Sequence, residues 1–193
     1  MVPHYFYSRI ALKSAGINFA GSKFLWYKTS VNLMADRQRQ VIVDELITLI
    51  KTGNAHVSLD DSVANLPSEL RSIIPENLPY SIWQLLDHIR ITQWDIVEFC
   101  LSENHKSPEW PDDYWSKNPE NVSDKDWEAC IDQIHNDRDR FFDLLKDGES
   151  DLHEPFPYGD GQNIFREALL IADHTSYHLG EILVLRRLFN SWD

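Results

Sequence analysis

The sequence predicts an all-α four-helix bundle with long crossover connections. Three observations predict it. Four stretches carry apolar residues at helical spacing, two long connections rich in Pro and aromatic residues join them, and no alternating strand pattern, internal repeat or low-complexity tract interrupts them. The 193 residues suffice for one domain with a sizeable core. Hydrophobic content of 42%, with 12% aromatic, excludes a disordered chain. No apolar run approaches the roughly 20 residues of a membrane span. A net charge of -13 argues against nucleic acid or an anionic membrane as the main partner, and leaves a small-molecule substrate or another protein.

From Met34 onward, Val41, Ile42, Leu46, Leu49 and Ile50 recur on one helical face, and Gly53 supplies the stop signal. The stretch to Pro79 contains Pro67, Pro75 and Pro79, so it reads as an ordered connection with one helical turn over residues 68–73. Ser81 caps a second helix through Leu85, Leu86, Ile89, Ile96, Val97 and Cys100. Residues 103–123 form a long crossover whose SPEWPDDYW segment reads as structured. Ser123 or Asp124 opens a third helix through Trp127, Ile131, Ile134, Phe141 and Leu145, ended by Gly148. After the EPFPYGDGQ connection, whose GDGQ reads as a turn, a fourth helix runs from about Asn163 to Leu188.

Residues 1–34 stand apart. They hold Arg9, Lys13, Lys23 and Lys28 and no acid, leaving 14 basic against 31 acidic residues afterwards, a net of -17. They lack the apolar core and cleavage site of a secretory signal. The expected organisation is a basic extension over 1–34 outside the core, followed by one domain over 35–193. Cys100 and Cys130, each inside a helical stretch, form no disulfide framework or cysteine-type zinc site, which points to a reducing, cytoplasmic setting. A homodimer is allowed by this reading, but no motif carries it.

The chemistry falls on helices two and four. At about 100° per residue, Glu167, His174, His178 and Glu181 line one margin of the apolar face of helix four, centred on Ile164, Ala168, Thr175 and Ile182. His174 and His178 are four apart, so their rings emerge one turn apart on one side and can reach a shared ion. His88 occupies the corresponding margin of helix two, where a bundle brings it opposite the pair. Three neutral imidazoles leave coordination positions open, as catalytic or ligand-binding sites do and closed structural sites do not.

The segments PYSIWQLLDHIRITQWDIVEF, SPEWPDDYW and GDGQNIFREALLIADHTSYHLGEILVLRRL resemble the DinB/YfiT-like family of metal-binding four-helix proteins, from about residue 35 to the end. The resemblance implies one divalent transition metal ion, with zinc, nickel and iron as candidates, held by His88, His174 and His178. Similar sequences often have Gln where this chain has Glu181; a carboxylate there can orient a ligand. The basic first 34 residues have no counterpart in the family pattern.

The resemblance further implies a metal-dependent enzyme that activates a small thiol, its cosubstrate, for S-transfer to an electrophile, since a cation favours the thiolate over the thiol. Two other readings stay open. One is a hydrolase using a metal-bound water, with Glu167 or Glu181 as proton shuttle. The other is a non-catalytic metal- or stress-responsive binding protein. Glu167 and Glu181 are the expected partners of the ligands. Asp87 and Asp173, each beside a ligand, are expected to face solvent. Tyr177, Trp83 and Trp94 read as core, and His4, His56, His105, His135 and His153 as solvated. No GxSxG, phosphate loop or plausible Cys nucleophile occurs, which disfavours covalent acyl transfer and nucleotide chemistry.

Overall fold

The computed structural model describes residues 19–116, 120 and 122–192, with side chains from residue 33 onward. His4 and the start of the basic extension lie outside the described residues. The elements are α1 (Phe19–Thr52), α2 (Leu59–Val63), a 3-10 turn (Ser68–Leu70), α3 (Ile82–Leu101), α4 (Asp124–Lys146) and α5 (Ile164–Leu188). The chain is thus all-helical among the described residues, as its patterning predicts.

The ends of these helices follow local chemistry. Ser81 accepts from the Gln84 amide while the Gln84 side chain accepts from the Ser81 amide, so two otherwise orphan donors are satisfied at the start of α3. Ser123 and Asp126 repeat the arrangement at α4. Asn163 caps α5 through the Arg166 amide. Gly53, at φ +70, ends α1 in the left-handed region that favours glycine, and its amide returns to the Leu49 carbonyl.

Two differences from the sequence reading concern α1 and the first connection. α1 begins at Phe19, well before Met34, because continuing a helix requires only the absence of a breaker, whereas the apolar periodicity that marks a helix in sequence reflects packing. The connection holds a second short helix, α2, with Ser58 accepting from the Asp61 amide and two acids in its first turn. The anticipated turn over 68–73 is shorter, Ser68–Leu70.

The backbone divides into two compact units, Met1–Arg39 and Gln40–Asp193. Within the second, α3 packs on both α4 and α5. One core cluster joins Val43, Leu46 and Ile50 of α1 to Phe141 and Leu145 of α4 and to Ile164, Ala168 and Ile171 of α5. The other joins Leu59 and Val63 of α2 to Ile82, Leu86 and Ile89 of α3 and to Leu179 and Ile182 of α5. Arg186 of α5 ties α5 to α2 by donating to the carbonyls of Ser62, within α2, and Ala64, just past it. No described helix is long and apolar enough to cross a membrane.

Candidate metal centre

Packing α3 against α5 brings His88, His174 and His178 together. Their ring centroids lie 4.6–4.9 Å apart, and one ligand nitrogen from each falls within 4.8 Å of the others. His88 and His178 are buried and His174 is half-buried. The group could hold a metal ion.

The hydrogen bonds decide which nitrogens face inward. His88 Nδ1–H donates to the Tyr114 carbonyl at 2.8 Å, which leaves the Nε2 lone pair of the neutral ring free. His178 Nδ1–H donates to the Glu181 carboxylate at 2.7 Å, which frees its Nε2 in the same way. His88 Nε2 and His174 Nε2 stand 3.1 Å apart. Two facing lone pairs at that separation repel unless a proton or a cation lies between them. Imidazoles bound at about 2.0–2.1 Å to one ion, at angles of about 90–110°, have their nitrogens roughly 3 Å apart, so the spacing fits a shared ion.

Burial supports the same state. It holds the His174 ring well below the usual imidazole range, at about 3, aided by repulsion from His178 and His88. It also lowers His88, against the opposing pull of the Tyr114 carbonyl. Both rings are therefore neutral near pH 7, the form that ligates metals.

The crossover between α3 and α4 supplies part of the site that sequence reasoning missed. Trp115 stacks face to face on His88 at 4.0 Å, and Tyr80 stacks on the other side of Trp115, also at 4.0 Å, so three rings fix the imidazole plane. Asp95 of α3 accepts from the Tyr114 hydroxyl at 2.6 Å and pairs with His105 at 2.7 Å, anchoring the crossover that aims the Tyr114 carbonyl. The only signal for this lay in the aromatic density of SPEWPDDYW.

The other named residues sort differently. Glu181 touches the cluster through His178. Glu167 is buried two turns before His174 and pairs with Arg166 at the start of α5. Asp173 is exposed as expected. Asp87 is not: it is buried against Arg90, which also reaches Gln133 of α4. His105 is likewise mostly buried against Asp95 and not solvated. Tyr177, read as core, is 67% exposed. Trp83 is core. His135 is exposed and pairs with Asp60. Both cysteines are buried and unpaired, and burial pushes the Cys130 thiol up to about 12 and Cys100 higher still, so neither is a ready nucleophile.

Burial raises the Glu167 carboxyl above its ordinary value despite the neighbouring Arg166 guanidinium. An acid whose folded pKa is raised stabilises the fold fully below its unfolded value of about 4.3, and that contribution is lost as pH rises through the folded pKa. Glu167→Gln, which cannot ionise, should therefore melt higher than the parent at pH 7, with the gap closing near pH 4. Each kcal/mol corresponds to about 2–4 °C in a chain of this size. Thermal melts across that pH range check it; a less stable variant at pH 7 would mean the Arg166 pair outweighs desolvation.

A profile of the DinB superfamily matches residues 55–182, a span that contains all three histidines, Glu181 and the crossover. The chain belongs to the DinB superfamily. No curated protein and no solved structure gives a significant match. Membership in the DinB superfamily agrees with the helical architecture and with a histidine cluster able to hold a metal, and it leaves the reaction to the site's own chemistry.

Proposed function

We propose that His88, His174 and His178 bind one divalent transition metal and that the protein is a metal-dependent enzyme activating a small thiol for S-transfer to an electrophile. The observation that carries this reading is the donor set: three imidazoles, two of them held neutral by burial, with no carboxylate or thiolate among them. An ion so held keeps its full positive charge, favours an anionic further ligand, and thereby stabilises a thiolate at neutral pH.

The chain's own part is to present and hold. Tyr114 and Glu181 fix the inward-facing nitrogens of His88 and His178, Trp115 fixes a ring plane, and the buried faces of α3 and α5 limit water around the rings. With both cysteines buried, the sulfur nucleophile has to come with the substrate. The proton shuttle that hydrolysis requires is less well supplied, since Glu167 is engaged with Arg166 and Glu181 with His178. A panel pairing small thiols with electrophiles, run beside ester and amide panels, tests the reading. Thiol consumed together with an electrophile is the expected result; hydrolysis inhibited by thiols would replace transfer with the water-based reaction.

We propose further that residues 1–34 lie outside a domain spanning 35–193. Support comes from the acid-free composition of the segment and from the compact unit Gln40–Asp193. Deleting residues 1–33 should leave metal stoichiometry and the thermal melt unchanged. A melting temperature lower by several degrees would overturn the boundary.

A further inference from the structure

The solvent side of α5 is apolar where a surface helix ordinarily turns charge outward. Leu169, Leu170, Tyr177, Val184 and Leu188 are all exposed, Tyr177 at 67% and Leu188 at 58%. Their spacing places them in one stripe, which runs roughly 28 Å along the helix at about 1.5 Å per residue. α4 shows the ordinary pattern: its outward positions include Asp132, Asp139, Arg140 and Asp143, and it exposes no large apolar side chain. An apolar strip of such length on a surface marks a contact with another molecule.

The polar residues within the stripe say what that molecule is. Asp173 and Arg187 are exposed on it, seven residues before and seven after Gly180. Neither has an ion pair or hydrogen bond among the described residues. A two-fold axis through Gly180 that sets two α5 helices antiparallel maps each position onto the one equally far on the other side, so Asp173 of each copy meets Arg187 of the other. The same axis brings Tyr177 of each copy beside Val184 of the other. Leu170, Tyr177 and Val184 recur every seven residues, and Asp173, Gly180 and Arg187 recur every seven in a phase three residues later, the spacing by which two helices keep a common seam.

Gly180 fits the crossing point. Nothing within the chain asks for glycine there, since an added Cβ would meet no atom within 4 Å, and in a helix interior glycine is destabilising relative to alanine. At a crossing its bare backbone lets a second helix approach closely.

We infer that this stripe is the interface of a homodimer in which two copies of α5 cross antiparallel at Gly180, with Asp173 of each copy paired to Arg187 of the other. The assignment is independent of the thiol reading, because it uses neither a ligand of the metal nor a substrate.

Sedimentation equilibrium of the full-length, metal-loaded protein tests it. The parent should be a dimer at micromolar concentration. Val184→Asp, which sets an unpaired carboxylate against Tyr177, should raise the dimer Kd more than about tenfold. Asp173→Arg and Arg187→Asp each turn two attractive pairs into two repulsive ones and should weaken the dimer about tenfold. The double variant restores both pairs with their signs exchanged and should return Kd close to the parent value, a rescue that damage to the fold could not produce. A monomeric parent overturns the homodimer: a lower melting temperature in its Val184→Asp variant then identifies the cover as a segment of the same chain, and an unchanged one leaves a different protein as partner. A dimer indifferent to Val184→Asp, or single reversals that the double variant fails to rescue, overturns this interface.

Discussion

Replacing His88, His174 or His178 by alanine should each lower metal affinity by more than about a hundredfold. The scale is set by the outer partners, whose loss alone typically costs about 10–100-fold. A ligand contributes a bond as well as an orientation, so its loss exceeds that range. Glu181→Ala should fall within it, because the His178 ring then loses the acceptor that holds its Nδ1–H outward and keeps Nε2 facing the site. Glu181→Gln should cost less, since an amide oxygen still accepts from Nδ1–H. His135→Ala should change nothing, its ring being exposed and paired with Asp60 on another face of α4. Elemental analysis after dialysis against a graded chelator ranks all six variants, with circular dichroism confirming that each is folded. Full metal content in the three ligand variants would remove the site assignment; Glu181→Gln losing as much as Glu181→Ala would show that charge, and not orientation, is what Glu181 supplies.

How much of this was legible in the sequence follows from the range of each signal. Helix positions and caps were readable because they depend on residues within one or two turns. Ser81, Ser123, Asn163 and Gly53 each satisfy backbone groups three or four residues away. The HxxxH pair and His88 were readable because they lie at the margins of apolar faces that the bundle sets opposite each other. What sequence could not give was the outcome of packing. Asp87 neighbours His88 and was expected in solvent, yet it is buried and pairs with Arg90, which also reaches Gln133 of α4. His105 looked like an isolated loop residue until the crossover folded it onto Asp95, 10 positions earlier. The Tyr114 carbonyl that orients His88 is a backbone group 26 residues away, and no side-chain identity encodes it. Glu167 and Glu181 shared one predicted stripe, but the stripe is long enough that only Glu181 reaches a histidine, while Glu167 stays with Arg166 at the helix start. Short α2 was missed because five residues carry no periodicity, only the cap at Ser58.

The second large effect concerns thiols, and it follows from the charge of the donor set. His88 and His174 are held neutral, and Glu181, the one carboxylate hydrogen-bonded to the cluster among the described residues, binds the outer nitrogen of His178 and not the inner face. The inner face therefore offers no negative charge of its own. A free thiol with a pKa of about 8.5 is only about 3% thiolate at pH 7. Capture at a cation held by three neutral donors should reverse that ratio and release about one proton per thiol bound. Cobalt-loaded protein titrated with small thiols at pH 7 should develop a sulfur-to-metal charge-transfer band that saturates at one thiol per chain, and a weakly buffered titration should record the proton. Both signals should disappear in His174→Ala, which removes one of the three imidazoles of the cluster. An ion that merely joined α3 to α5 would give neither band nor proton. No response to any thiol would remove the transferase mechanism and leave hydrolysis by a metal-bound water, or a non-catalytic metal-binding role, as the readings to pursue at the same three histidines.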